Sequence, residues 1–161
     1  MTDAGQIVIR KVDRDTSLAE KLLEYVQCFS WAEVREHTVN LIANWEFEEW
    51  ETPFAAMDGD DIVGMATIMK TDYYPLPEIF PWISTIFVSE DYRGRKISGK
   101  LIDHANRYAG ELGFEKTFIP SSHAGLYEKY GYRYAGDIVN YANGTDRLYV
   151  KDIGDIRSEE P

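Results

Sequence analysis

Trp82–Val88 is the stretch that most narrows what this chain can fold into: a nearly unbroken apolar run, then a basic glycine-containing loop, then a helical repeat. A short run that is apolar at almost every position suits a strand covered on both faces, and so a central one. Downstream, Leu101, Ala105, Tyr108 and Leu112 recur on one helical face with Ile102 and Ala109 beside them, which predicts a helix over Ser98–Leu112. Gly113 is placed to end it, because glycine readily takes the left-handed backbone that follows a helix. The linking residues therefore lie between the end of a central strand and a helix N-terminus.

The flanking segments extend this unit. Gln6–Lys11 carries Ile7, Val8 and Ile9 and reads as a strand. Ser17-Leu18-Ala19-Glu20 and Ser30-Trp31-Ala32-Glu33 both have capping-box spacing and open two helices. The first carries Leu18, Leu22, Tyr25 and Phe29 at helical spacing. The second carries Trp31, Val34, Thr38, Leu41 and Trp45 on one face. Thr52–Met57 and Ile62–Lys70 read as strands around the hairpin signal Asp58-Gly59-Asp60-Asp61. Thr71–Pro81 is irregular. Lys116–Ile119 predicts a strand, Ala124–Tyr130 a short helix ended by Gly131, and Tyr132–Val139 and Asp146–Lys151 two strands turned at Asn143-Gly144. The order β-α-α-β-β-β-α-β-α-β-β implies an α+β class (an α/β sandwich), with a mixed, largely antiparallel central sheet flanked by helices. A length of 161 residues predicts one domain, 1–155, and a flexible polar tail, 156–161.

Composition removes several function classes. With 44% hydrophobic and 28% charged residues the chain reads as globular and not disordered. Its one cysteine, Cys28, excludes a disulfide framework within the chain and is expected as buried packing. His37, His104 and His123 are scattered, without zinc-ligand spacing, so no metal is expected. No apolar run is long enough for a membrane span, and Met1–Gly5 lacks signal-peptide features, which gives a soluble, cytoplasmic reading. A net charge of −11 disfavours nucleic acid and anionic lipid and favours a cationic small molecule or basic peptide.

Against that acidic background, Arg93, Arg95, Lys96 and Lys100 place four cations within eight residues. The first amides of a helix have no intrahelical acceptor, and the helix dipole adds positive charge there, so a phosphate is a fitting ligand. Gly94 permits a sharp turn, and Ser98 is expected to cap the helix.

Two phosphate-binding patterns compete. Gly94-Arg95-Lys96-Ile97-Ser98-Gly99-Lys100-Leu101 nearly matches the nucleotide P-loop, but Leu101 lacks the hydroxyl that would hold magnesium. The other pattern covers more of the chain. Thr85-Ile86-Phe87-Val88-Ser89-Glu90-Asp91-Tyr92-Arg93-Gly94 resembles the lead-in to the CoA loop of the GNAT superfamily of N-acetyltransferases, whose loop reads Arg/Gln-x-x-Gly-x-Gly/Ala. The loop departs at Lys96, where the family usually has glycine, and at Ser98, where it has glycine or alanine. Downstream, Leu126-Tyr127-Glu128-Lys129-Tyr130-Gly131-Tyr132 resembles the family's Phe/Leu-Tyr-Glu-Lys-x-Gly-Phe segment, although Pro120-Ser121-Ser122-His123 replaces an asparagine-containing stretch. The resemblance runs from about Ile62 to Val150.

The resemblance implies acetyl-CoA as cosubstrate. Ile86, Phe87 and Val88 are expected to meet the pantetheine arm and thioester, and Arg93, Gly94, Arg95, Lys96, Ile97, Ser98 and Gly99 the pyrophosphate. Tyr127 is expected to protonate the departing thiolate after direct attack by a neutral primary amine. Glu78, Asp72 and the run Glu46, Glu48, Glu49 are candidate bases. The acceptor, a small-molecule amine or basic peptide, is expected among Trp31, Trp45, Tyr73, Tyr74, Phe80 and Trp82, where aromatic faces attract cations. A homodimer through a terminal strand is a further expectation. Two other readings remain open at this point: a non-catalytic acyl-CoA-binding module, and a P-loop-like nucleotide-binding protein.

Overall fold

A computed structural model describes residues 6–154. The expected tail, 156–161, lies outside the described residues. Among the described residues are seven strands: β1 (Ile7–Lys11), β2 (Thr52–Asp58), β3 (Asp61–Met69), β4 (Trp82–Val88), β5 (Lys116–Ser121), β6 (Arg133–Val139) and β7 (Thr145–Asp152). The helices are α1 (Ser17–Gln27), α2 (Ala32–Ala43) and α3 (Ile97–Glu111). The strands form one mixed sheet in the order β1-β2-β3-β4-β5-β7-β6. β4 and β5 run parallel with Trp82 opposite Phe118, while β1–β2, β5–β7 and β6–β7 are antiparallel. The α+β class expected from the pattern is therefore the one found. None of the described helices is long and apolar enough to cross a membrane.

The chain divides into two compact units. The first comprises residues 6–67 and 85–101. Leu22, Val26, Phe29, Phe54, Met65 and Phe87 are buried in it. Burying a side chain of this size stabilises a fold by roughly 1.5–3 kcal/mol. Phe29 stacks on Phe87 at 4.2 Å between ring centroids, with Tyr25 edge-on to both. Gly64 sits where space is tight: a Cβ there would lie 3.0 Å from the Phe87 carbonyl oxygen, so a side chain would press on the β4 backbone. The hairpin at Gly59 follows the expected turn, with φ of 62° at the glycine.

Helix starts differ from the capping-box readings. Thr16, not Ser17, caps α1: its Oγ1 accepts from the Ala19 amide at 3.1 Å. The threonine holds the extended backbone that a cap needs, which leaves Ser17 as the first helical residue. α2 begins at Ala32 after Trp31, with no side-chain cap bond, so Ser30 does not cap it. Cys28 is exposed at the end of α1 and is not the buried packing residue expected.

The second unit comprises residues 68–84 and 102–154 within the described range. Tyr74, Trp82, Ile138 and Leu148 form its buried cluster, with Leu76, Ile79 and Phe118 packed against it. Tyr74 stacks on Trp82 at 5.4 Å, and its hydroxyl donates to Asp146 at 2.7 Å. The helix expected over Ala124–Tyr130 is instead a single 3-10 turn, Glu128–Tyr130. Gly125 at φ 85° breaks the helical path ahead of it, and Gly131 at φ 91° closes the turn as expected.

Candidate active site

The basic loop, Ser89–Lys100, lies wholly within the first unit. β4 delivers it after a local reversal: Thr85 sits at φ 49°, a left-handed conformation rare for a β-branched residue and costing on the order of 1–3 kcal/mol. Beyond it, the Ser89 amide donates to the Val63 carbonyl at 2.9 Å, and the Ser89 and Tyr25 hydroxyls share a hydrogen bond at 2.7 Å. Glu90–Tyr92 forms a 3-10 turn, pinned where the Tyr92 hydroxyl donates to Asp58 at 2.6 Å.

Two left-handed residues then lead into α3: Gly94 at φ 83° and Lys96 at φ 62°. Lys96 thus adopts a backbone shape that glycine makes easy, and does so with a side chain attached. Its carbonyl accepts from the Lys100 amide at 3.2 Å, so Lys96 holds the N-cap position. Ile97 is the first and Ser98 the second residue of α3, so Ser98 is not its cap. The amides of Ile97, Ser98 and Gly99 fall in the helix's first turn, which offers them no i−4 carbonyl.

The four cations of the loop are not equivalent. Arg93 Nε donates to the Val88 carbonyl at 3.0 Å, and its guanidinium lies 5.7 Å from the Phe87 ring centroid. Arg95 lies over Tyr92 at 4.7 Å and reaches the Asp91 carbonyl at 3.5 Å. Lys96 and Lys100 are exposed, and their ammonium groups have no partner among the described residues. Two cations hold the loop in shape, and two engage no other described residue. Among the other expected contact residues, Ile97, Gly99 and Phe87 are buried, while Ile86, Val88 and Ser98 are half-buried.

Tyr127 belongs to the second unit. It is half-buried, its ring centroid 6.0 Å from that of Tyr149. Its hydroxyl has no hydrogen-bond partner among the described residues. Burial, with a smaller contribution from Tyr130, pushes its pKa up to about 12, so the phenol stays protonated at neutral pH. Its carbonyl accepts from the amides of Tyr130 at 2.9 Å and Tyr132 at 3.3 Å, which closes residues 127–132 into a tight loop. Upstream, Ser121 Oγ accepts from the His123 amide at 3.0 Å, and the His123 carbonyl accepts from Tyr149 at 3.0 Å.

The carboxylates divide similarly. Asp72 is half-buried and accepts from the Ser84 hydroxyl and, at 2.6 Å, from the Tyr73 amide. Glu46, Glu48, Glu49 and Glu78 are exposed. Of the aromatic residues expected around an acceptor, Trp82 and Tyr74 belong to the buried cluster, because stacking on each other removes them from water. Tyr73 is exposed and edge-on to Tyr141 at 5.8 Å. Trp31 and Phe80 are also exposed.

Sequence reasoning missed one buried network, in which Asn106, Thr117 and Tyr132 bond one another in the second unit. Its only sequence signals are a polar residue on the apolar face of α3 and a tyrosine where the family segment has phenylalanine.

Comparison with known proteins places this arrangement. Residues 17–132 match the Acetyltransferase (GNAT) family. The chain belongs to the GNAT acetyltransferases. No curated protein sequence matches it. Among solved structures, aminoglycoside 6'-acetyltransferase type Ii aligns with a TM-score of 0.70 at 19% identity, over 91% of this chain and 97% of that one. An aminoglycoside 6'-N-acetyltransferase complexed with coenzyme A aligns at 0.69 and 16% identity, over 91% and 97%. A GNAT family acetyltransferase from Elizabethkingia anophelis with acetyl-CoA bound aligns at 0.61 and 17%, over 94% and 99%. At these identities the likeness speaks for the fold.

Proposed function

We infer that this acetyltransferase moves an acetyl group from acetyl-CoA to a primary amine by direct attack, and that residues 1–155 act as one domain. The observation that carries the reading is the N-terminus of α3, where two left-handed residues precede the helix and two lysine ammoniums stand without partners among the described residues. An exposed loop that uses its arginines to brace itself and leaves its lysines open fits a polyanion such as the CoA pyrophosphate. Arg93, Gly94, Arg95, Lys96, Ile97, Ser98 and Gly99 would hold it, and Ile86, Phe87 and Val88 would line the pantetheine and thioester. The thioester supplies the activated acetyl group.

Tyr127 fits the role of general acid. Its proton is held up to about pH 12, and no acceptor among the described residues competes for it. The amine must be neutral when it attacks, so a carboxylate or carboxylate-held water is needed on the acceptor side. Asp72 fits the orientation of a cationic amine better than proton removal, since hydroxyl and amide donors already engage it. The acidic chain and the exposed Tyr73–Tyr141 pair favour a small cationic amine over a basic peptide as acceptor. Aminoglycosides are the substrates named for two of the structural relatives, and they belong in the panel for that reason.

The test is CoA thiol release from acetyl-CoA with polyamines, aminoglycosides, amino acids and basic peptides, beside thermal shifts with acetyl-CoA and ATP. Turnover with at least one amine is expected. Acetyl-CoA at a hundredfold above its dissociation constant should add about 2.7 kcal/mol without magnesium. Stabilisation by acetyl-CoA with no turnover on any amine would favour a CoA-binding module instead.

A further inference from the structure

Asn106 on α3 and Thr117 on β5 are fully buried, and Tyr132, just past Gly131, is nearly so. Thr117 Oγ1 donates to Asn106 Oδ1 at 2.6 Å and shares a hydrogen bond with the Tyr132 hydroxyl at 2.7 Å. The Tyr132 hydroxyl also lies 3.2 Å from Asn106 Oδ1. Asn106 Nδ2 has no partner among the described residues. A buried amide donor left unbonded is costly, and an all-apolar trio of the same shape would avoid that cost. Stability alone therefore does not account for the triad. What it fixes is the Tyr132 end of the tight loop. The Tyr132 amide donates to the Tyr127 carbonyl, and left-handed Gly131 turns the chain so that the Tyr132 ring enters the interior. At the other end of the loop, the Tyr127 hydroxyl has no hydrogen bond among the described residues to set its direction. Among the described residues, its ring contact with Tyr149 and the backbone clasp from Tyr130 and Tyr132 help to orient it.

We propose that Tyr132, locked by Asn106 and Thr117, is a positioning residue that aims the Tyr127 hydroxyl. The proposal rests on reading Tyr127 as the general acid. Small misplacements of a reacting group are expensive in rate: about 1 Å can cost about a hundredfold.

A double-mutant cycle in kcat tests it, with acetyl-CoA and whichever amine turns over best. Tyr132→Phe keeps the ring and removes the hydroxyl. It should lower kcat about five- to twentyfold with the KM for acetyl-CoA nearly unchanged. In a Tyr127→Phe background the same change should cost nothing further, because there is no hydroxyl left to aim. Thr117→Val removes the other hydroxyl at constant shape. It should repeat the pattern more weakly, and it serves if Tyr132→Phe folds poorly. Equal losses in both backgrounds, or no loss in either, would overturn the positioning role while leaving Tyr127 as the acid. A Tyr127→Phe enzyme with wild-type kcat overturns the acid reading first, and this inference with it.

Discussion

The loop from Ser89 to Lys100 and the loop from Tyr127 to Tyr132 are both short connections that carry proposed function, yet they are built in opposite ways. The first is exposed, charged and set by backbone conformation, with Gly94 and Lys96 left-handed and Arg93 and Arg95 bracing it. The second is anchored from inside, by Tyr132 bonded to a fully buried asparagine and threonine. A site that binds a charged, solvated group benefits from open cations. A site that must present one uncharged hydroxyl in a fixed direction needs a rigid, dry support. The two loops therefore differ in what should damage them: charge change for the first, and loss of a single hydroxyl for the second.

Tyr127→Phe should have the largest effect, lowering kcat by about a hundredfold, the low end for a general acid when the leaving thiol is already fair. Its melting temperature should stay within error, because the lost hydroxyl has no bond among the described residues. Kinetics and a melting curve on one preparation check both halves. An unperturbed tyrosine titrates near 10, whereas burial holds Tyr127 to about 12. The proton is needed on the acid, so kcat should show no alkaline fall owed to Tyr127 as pH passes 10.

Lys96→Glu should come next, weakening CoA about tenfold or more by isothermal titration, with pantetheine nearly unaffected. Arg93→Glu should weaken both ligands, because Arg93 also ties down the Val88 carbonyl. If the two variants behave alike, the division of the cations into braces and free charges is wrong.

Thr16→Ala should cost about 1 kcal/mol of stability in urea unfolding, and Ser17→Ala only a few tenths. The smallest effect divides into opposite signs. Lys96→Gly relieves a left-handed side chain and should raise stability by up to about 1 kcal/mol, while CoA affinity falls a few-fold. A variant that gained stability and lost no affinity would show that the ammonium does not meet the ligand.

The first loop was largely legible in the sequence. Strand, basic glycine turn and helix start follow from local composition, and local composition largely decides backbone conformation there. What could not be read was which cations were engaged, since Arg93 and Arg95 find partners set by tertiary geometry. Capping signals misled for a related reason: at Thr16-Ser17 two adjacent hydroxyl residues both fit the pattern, and only the extended backbone of Thr16 decides. The second loop was legible as a motif, but its support was not. Asn106, Thr117 and Tyr132 lie 11 and 15 residues apart along the chain, and no periodicity links them. The aromatic loop Thr71–Pro81 misled most, because Tyr74 satisfies its hydroxyl on a partner 72 residues away and so joins the core.

Thr85 has a consequence for how this chain fails. Trp82–Val88 is uncharged, free of glycine and proline, and rich in β-branched and aromatic residues, the signature of a segment that stacks into cross-β fibrils. Cross-β stacking needs a flat, fully extended strand, and a left-handed residue at the centre of β4 denies it that shape while the protein is folded. The kink acts as a safety catch that unfolding releases. On heating, aggregation should begin from this strand, and filaments grown from the melted protein should have residues 82–88 in their protease-resistant core.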